Sequence, residues 1–341
     1  MNGFRRICMV ILGMVLLVAG LLKLMDPAGA GLVVEEYLNF FHLPFLKSAS
    51  RFIASALALF ESLLGAALIA GVWRKVAAIA SGVILILFTA VTIILYLRNP
   101  TMDCGCFGEA VHLNHAQTLL KNLVLDALWC LAFIPFGNLG QPQRIKYASF
   151  SLAALSLVFF LLYSALSIPL RDYTKFKPGT ELEEEVLSFY DANYDYADSL
   201  ALEGKVMVIS AYDPARLSAK SMERITHTAM AAAKESCTVL FLVASTPDAV
   251  AESGISPALL SNIFFADRRE LLTLNRSNGG LTYIHDGQII RKWASASLPD
   301  AEEFRGMDGK TPADVLLSQQ NRTRALFQGF SLYLLAVLLL L

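Results

Sequence analysis

The sequence predicts a polytopic α-helical membrane protein that carries an extracytoplasmic α/β domain. Three observations point there: a mean hydropathy of +0.53, apolar stretches of bilayer-spanning length before Leu170, and a soluble composition after it. Only 17% of the 341 residues are charged, against roughly 25% in soluble domains. The net charge of -1 lacks the basic bias that nucleic acid demands, which excludes nucleic acid and leaves the lipid bilayer as the first partner.

A hydrocarbon core of ~30 Å takes about 20 residues of helix. Stretches of that kind run from Ile7 to Leu24, Phe52 to Trp73, Val76 to Leu97, Gln117 to Phe136 and Tyr147 to Leu166, and a last one from Ala325 to Leu341 leaves its own completeness open. The first four make a membrane module over residues 1–137. A fifth helix over 147–168 leads into a soluble segment, 171–322, and a C-terminal helix over 325–341 follows.

Lys and Arg in short loops mark the cytoplasmic side. Arg5 and Arg6, Arg74 and Lys75, and Arg144 and Lys146 fall in alternate segments and agree with one another; Lys47, Arg51 and Arg98 count against the scheme. It puts the N-terminus inside a cytoplasmic (inner) membrane. Asp26 to Arg51, Arg98 to Ala116 and the large domain then lie on the periplasmic side. Ala28-Gly29-Ala30 would also suit a cleaved leader, whereas Lys23 and Asp26 suit an anchored helix end with Lys23 snorkelling to the interface.

Two cysteines one residue apart, Cys104 and Cys106, stand in the run Asp103-Cys104-Gly105-Cys106-Phe107-Gly108. A disulfide between them closes a very small ring, and strained, exposed disulfides are the exchange-competent kind. An oxidising compartment favours the pairing. The alternatives are two separate thiols or an inert structural clip. Cys104, Cys106, His112 and His115 offer soft donors for zinc or copper, but their spacing matches none of the usual zinc patterns, and no metal is assigned. Cys8, Cys130 and Cys237 read as packing residues.

Ionisable residues within spanning helices are costly and are functional candidates. Glu61 and Asp126 each lie about ten residues from the outer helix end, ~15 Å deep at 1.5 Å per residue. At equal depth they would meet, share a proton and serve a proton route, as a membrane quinone used as electron acceptor would require. The competing reading is two hydrogen-bonded packing residues.

Beyond Leu170, Thr180 to Ala201 is acidic and helix-compatible. Val206 to Ser210 and Thr238 to Ala244 read as strands around a helix from Pro214 to Lys234, and Ile263 to Phe265 as a third strand. Leu281 to Ile284 and Gln288 to Trp293 form a hairpin about Asp286-Gly287. Asp267 to Glu270 and Asn275-Arg276 read as solvated surface or caps, and Asn278-Gly279-Gly280 as a turn. The element order resembles a thioredoxin-like fold. The place of its dithiol reads Tyr212-Asp213-Pro214-Ala215, and no proline precedes the hairpin, so the domain is expected to recognise or scaffold.

Lys23 with Asp26-Pro27, Tyr37, Glu61, the run Asp103 to Gly108, and Lys121-Asn122 together resemble the DoxX-like family that includes the methylamine utilisation protein MauE. The resemblance covers residues 1–137, and the whole-chain architecture is similar to DoxX proteins of Bacteroidetes. It implies a four-helix module associated with extracytoplasmic thiol and disulfide chemistry, which in the methylamine system serves maturation of a disulfide-rich enzyme subunit. The expectation is a thiol-disulfide oxidoreductase in which Cys104 and Cys106 exchange electrons with a periplasmic client, and in which replacing Cys106 traps the mixed disulfide. The alternative is a non-enzymatic assembly or envelope-maintenance factor whose cysteines clip a loop.

Overall fold

A computed structural model describes residues 3–102, 104–136, 144–183, 186–247, 262–308 and 310–341. They fall into two compact units, residues 1–164 with 329–341, and residues 165–328. Among the described residues, five helices are long and apolar enough to cross a membrane, and all of them end before Ile168. The chain is therefore a multi-pass membrane protein joined to a mixed α/β domain.

The first unit holds α1 (Gly3–Met25), α2 (Pro27–Phe40), α3 (Ser50–Ala70), α4 (Arg74–Arg98), a short strand β1 (Cys106–Glu109), α5 (His115–Phe133) and α6 (Arg144–Leu166). Helix α1 runs antiparallel to α3 at backbone contact. A Cβ on Gly13 would lie 2.8 Å from the Gly65 carbonyl oxygen, one on Gly65 2.6 Å from the Gly13 carbonyl oxygen, and one on Gly20 2.6 Å from that of Ala58. Lipid tails are as apolar as leucine, so helices in a bilayer associate through such close packing rather than through the hydrophobic effect. Helices α4 and α5 meet where the Trp129 indole donates to the Ala78 carbonyl (2.9 Å) and Ser81 hydroxyl (3.1 Å), in space that Gly82 leaves free.

Asp26 to Arg51 reads as a loop in the sequence, yet most of it is helical. Asp26 accepts the Gly29 amide (2.9 Å) and Pro27 takes the first helical position, a strong start signal. At the end of the bundle where α1 begins, Arg5 donates to the Ala132 and Pro135 carbonyls (both 2.9 Å) and Arg74 to that of Gly71 (3.0 Å). The Ala132 and Gly71 carbonyls are among those that helix C-termini leave open.

The second unit is a six-stranded sheet in the order β2-β5-β4-β3-β6-β7, formed by β2 (Phe189–Tyr190), β3 (Lys205–Ala211), β4 (Thr238–Val243), β5 (Ile263–Ala266), β6 (Gly280–His285) and β7 (Gln288–Trp293). Strand β3 is parallel to β4 and antiparallel to β6. Val206 to Ile209 are all buried, because a central strand is covered on both faces and so reads as an unbroken apolar run. Helix α7 (Ala219–Lys234) links β3 to β4 and contributes Ile225, Ala229 and Ala232 to a core with Ile209, Phe241 and Trp293. Asp286 (φ 47°) and Gly287 (φ 72°) close the β6–β7 hairpin. Positive φ at both positions is what this tight turn requires.

Three expectations for this unit are corrected. Thr180 to Ala201, whose residues 184 and 185 lie outside the described set, carries β2 and a 3-10 turn (Asp198–Ala201) rather than a helix. Asp198 accepts the Phe189 amide (2.8 Å), and Asp191 accepts those of Asn193 (2.7 Å) and Asp195 (3.0 Å). These local bonds compete with helix formation. Asp267 does cap α8 (Arg268–Leu274), but Asn275 and Arg276 behind it are buried. The Asn275 amide donates to the Leu281 (3.1 Å) and Trp293 (3.2 Å) carbonyls and so holds the hairpin. The helix expected from Pro214 begins at Ala219, with Ser218 accepting the Ser221 amide (3.2 Å), after a 3-10 turn (Pro214–Arg216).

Asp172 and Lys292 form a largely buried ion pair at 2.6 Å. Burial alone would raise the Asp172 carboxyl, but the Lys292 ammonium and the Thr174 hydroxyl and amide outweigh it and hold the group below the ordinary carboxylate range. Helix α9 (Ala301–Asp308) precedes α10 (Pro312–Leu340). The expected C-terminal helix from Ala325 is the tail of α10. There Phe330 stacks on Phe160 of α6 (5.2 Å), and Tyr333 meets the Ser156 hydroxyl (2.7 Å).

Replacing Gly65 by Val should separate α1 from α3 and cost about 1–3 kcal/mol, read as a lower thermal midpoint of the detergent-solubilised protein. Gly329→Ala, with open space around its Cβ, should leave that midpoint unchanged. Asp172→Asn strands a buried ammonium and should destabilise the second unit by about 3 kcal/mol. Because its folded value is lowered, the wild-type contribution should be complete above about pH 4 and disappear as pH falls through the folded value. Hydrogen exchange over the β6–β7 hairpin reads both effects.

Candidate functional site

The loop between α4 and α5 is built on two backbone reversals, Gly105 (φ 57°) and Gly108 (φ 62°), with the Gly108 amide donating to the Gly105 carbonyl (3.1 Å). A Cβ on Gly105 would run into Val33 of α2, and one on Gly108 would come within 3.8 Å of the Lys23 Cα. The loop thus rests on α2 and on the last turn of α1. Asp103 lies outside the described residues. Helix α5 then opens with a reciprocal cap: Asn114 accepts the Gln117 amide (2.8 Å), and the Gln117 side chain accepts that of Asn114 (3.1 Å). This cap places His115 at the first helical position, facing back into the loop.

There the His115 Nδ1 lies 3.1 Å from the Cys104 Sγ, and its Nε2 lies 3.0 Å from the Pro100 carbonyl oxygen. A carbonyl only accepts, so Nε2 carries the hydrogen and Nδ1 is turned to the thiol. The Tyr37 hydroxyl donates to the Cys104 carbonyl (2.8 Å). Burial pushes the Tyr37 phenol well above its ordinary value, and the sulfurs of Cys104 and Cys106 and the Glu36 carboxylate push it further. Both sulfurs therefore bear on one phenol. They differ in access: Cys104 is 5% exposed, while Cys106 is half-buried and no disulfide joins the two. His112 is exposed. Among the described residues, no three His, Cys, Asp or Glu side chains converge in a way that would hold a metal ion.

Directly beneath the loop, Lys23 of α1 donates to both oxygens of Glu61 of α3, at 2.8 and 2.9 Å, and Glu61 is only 1% exposed. Helical side chains lean toward the N-terminus of their own helix, so on antiparallel helices these two lean toward each other. Lys23 does not snorkel: its ammonium is held inward and lies 5.7 Å from the centre of the Phe88 ring. Glu61 does not pair with Asp126 either. The Asp126 carboxylate accepts the Thr89 hydroxyl (2.8 Å), and Asn122 donates to Thr92 (3.0 Å). Glu61 and Asp126 thus each have a separate partner, as the absence of water at that depth favours. Cys8 is buried, and Cys130 lies on the outward face of α5. Cys237, expected to be buried, is half-buried just before β4.

Sequence reasoning singled out His115 only as a metal ligand. The signal for its pairing with Cys104 is the Asn114-x-x-Gln117 cap, which fixes where α5 starts and hence which way the ring points. These features define a multi-pass membrane protein with a thiol-bearing loop seated on a helix bundle. Residues 1–135, about two fifths of the chain, match the family model of the methylamine utilisation protein MauE. Neither the curated proteins nor the solved structures give a match.

Lys23→Met leaves Glu61 buried without its counter-charge and should cost about 3–5 kcal/mol. The double variant Lys23→Met with Glu61→Leu should recover most of that loss. Thermal unfolding of the four proteins of this double-mutant cycle gives the coupling directly.

Proposed function

We propose that the N-terminal module catalyses thiol-disulfide exchange with an extracytoplasmic client protein through Cys104 and Cys106. The observation that carries this reading is the contrast within one short loop between a half-buried sulfur and a buried one seated against an imidazole. Cys106 is the sulfur a client can reach, and Cys104 is the resolving thiol. This order reverses the expectation from the sequence, in which Cys106 was the residue to replace for trapping; spacing alone carries no information on access.

The proposed compartment rests on charge. Arg5, Arg6 and Arg74 gather at the bundle end opposite the cysteine loop, which makes that end cytoplasmic in an inner membrane and the loop periplasmic. With α6 crossing once more, the second unit is periplasmic as well. Its order β4-β3-β6-β7, with a helical crossover between parallel β3 and β4 and a following hairpin, supports a thioredoxin-like reading. Where a dithiol would stand, Asp213 is tied to Asn278 by two bonds, of 3.0 and 2.7 Å, which suits a recognition module rather than a second redox centre. A membrane quinone is the acceptor this chemistry calls for: two electrons from the dithiol and two protons give the quinol. Glu61 is held by Lys23, whereas Asp126 accepts a neutral hydroxyl, which makes it the carboxylate for proton uptake.

Cys104→Ala in the full chain should accumulate a reductant-sensitive adduct of Cys106 with a client, while Cys106→Ala should not. Non-reducing electrophoresis and mass spectrometry of intact cells read this. No adduct in either variant, together with a single unchanging redox state of the loop, would instead identify a structural clip in a membrane-anchored assembly factor.

A further inference from the structure

The geometry points to His115 as the general base that takes the proton from Cys104 when the mixed disulfide on Cys106 is resolved. The inference rests on the exchange reading above and deepens it. Three placements carry it. The Cys104 Sγ lies 3.1 Å from the His115 Nδ1, within reach for direct proton transfer. The Nε2 is committed to the Pro100 carbonyl at 3.0 Å, which presents the basic lone pair to sulfur and fixes the ring. The pair is buried, so water does not compete for the thiol hydrogen. Nucleophile, base and orienting acceptor in line are the arrangement that activates thiols in unrelated enzymes.

The step balances as follows. With Cys106 joined to one client sulfur and the second client sulfur a thiol, the Cys104 S–H gives its proton to His115 Nδ1. The resulting thiolate attacks the Cys106 sulfur. The Cys104–Cys106 bond forms as the Cys106–client bond breaks, and the departing client thiolate takes the proton back from the imidazolium. One client disulfide has then become a dithiol, and the Cys104–Cys106 dithiol a disulfide. In reverse, a client dithiol is oxidised and His115 returns the proton to Cys104. Among the described residues, the other titratable groups about the pair include Tyr37 of α2, whose hydroxyl is engaged by the Cys104 carbonyl, with Glu36 beside it; Cys106 of β1; Lys23 of α1 beneath Gly108; and Lys121 of α5, directed onto the Phe107 ring at 5.2 Å.

The ultraviolet absorbance of the Cys104 thiolate, taken as the difference between full-length Cys106→Ser and the Cys104→Ser/Cys106→Ser double variant across pH, reads the pair without any client. Because His115 shares the thiol proton, part of the difference should already be present at neutral pH, in equilibrium with the thiol–imidazole form. Adding His115→Gln, which can still reach Pro100 but has no basic nitrogen, should move its appearance up to the ordinary thiol range near ~8.5 and slow resolution of the mixed disulfide at neutral pH on the order of a hundredfold. Coincident curves with and without His115 would overturn the assignment. If His115→Gln fails to fold, the difference curve of the His115-containing proteins decides alone: a midpoint at the ordinary thiol value overturns the base. A client adduct trapped by Cys104→Ala alongside an unshifted curve removes the base and keeps the exchange; a shifted curve with no adduct keeps the base and removes the exchange.

Discussion

The backbone contact between α1 and α3 governs the membrane unit. Gly13, Gly20 and Gly65 let the two helices approach until main-chain atoms of one touch those of the other. In lipid such close packing, together with polar contacts between helices, favours this crossing over a leucine-lined one. The approach brings Lys23 within hydrogen-bond distance of both Glu61 oxygens, and the last turn of α1 so placed is the seat of the cysteine loop. A single added methyl group at the crossing would therefore be felt two layers away, at the sulfurs.

The second unit is organised by polar side chains that replace main-chain partners. Asn275, completely buried, spans from the end of α8 to β6 and β7. Asn278 pairs with the backbone of Asp213 through both halves of its amide, much as one strand pairs with the next. Asn278 thereby binds the connection after β3 to the connection before β6.

Much of this architecture was legible in the residues, and the failures share a cause. Spanning helices are read from length and hydropathy, the central strands from unbroken apolar runs, and the β6–β7 hairpin from Asp286-Gly287, because each signal is local. Helix α2 is hard to read because its apolar side is made of small residues, and Asp26 before Pro27 equally suits the end of an anchored helix. The stretch from Thr180 to Ala201 misled because its acidic residues suit a helix by propensity, while Asp191 and Asp198 spend their carboxylates on nearby amides. Long-range partners were not legible at all. Glu61 and Asp126 share a depth, but which helix face each occupies depends on the α1–α3 crossing, and that crossing handed Glu61 to Lys23. The direction of the His115 ring likewise depends on a cap two residues long.

The group that orients His115 is a main-chain carbonyl, that of Pro100. Where a carboxylate holds an imidazole, it adds a full negative charge a few ångströms from the nucleophile and opposes the birth of a second anion there. A peptide oxygen steers the ring with a partial charge only. It is also beyond the reach of side-chain replacement: residue 100 can change its identity and the oxygen remains, so the aim of the ring is written into the course of the chain rather than into any one side chain.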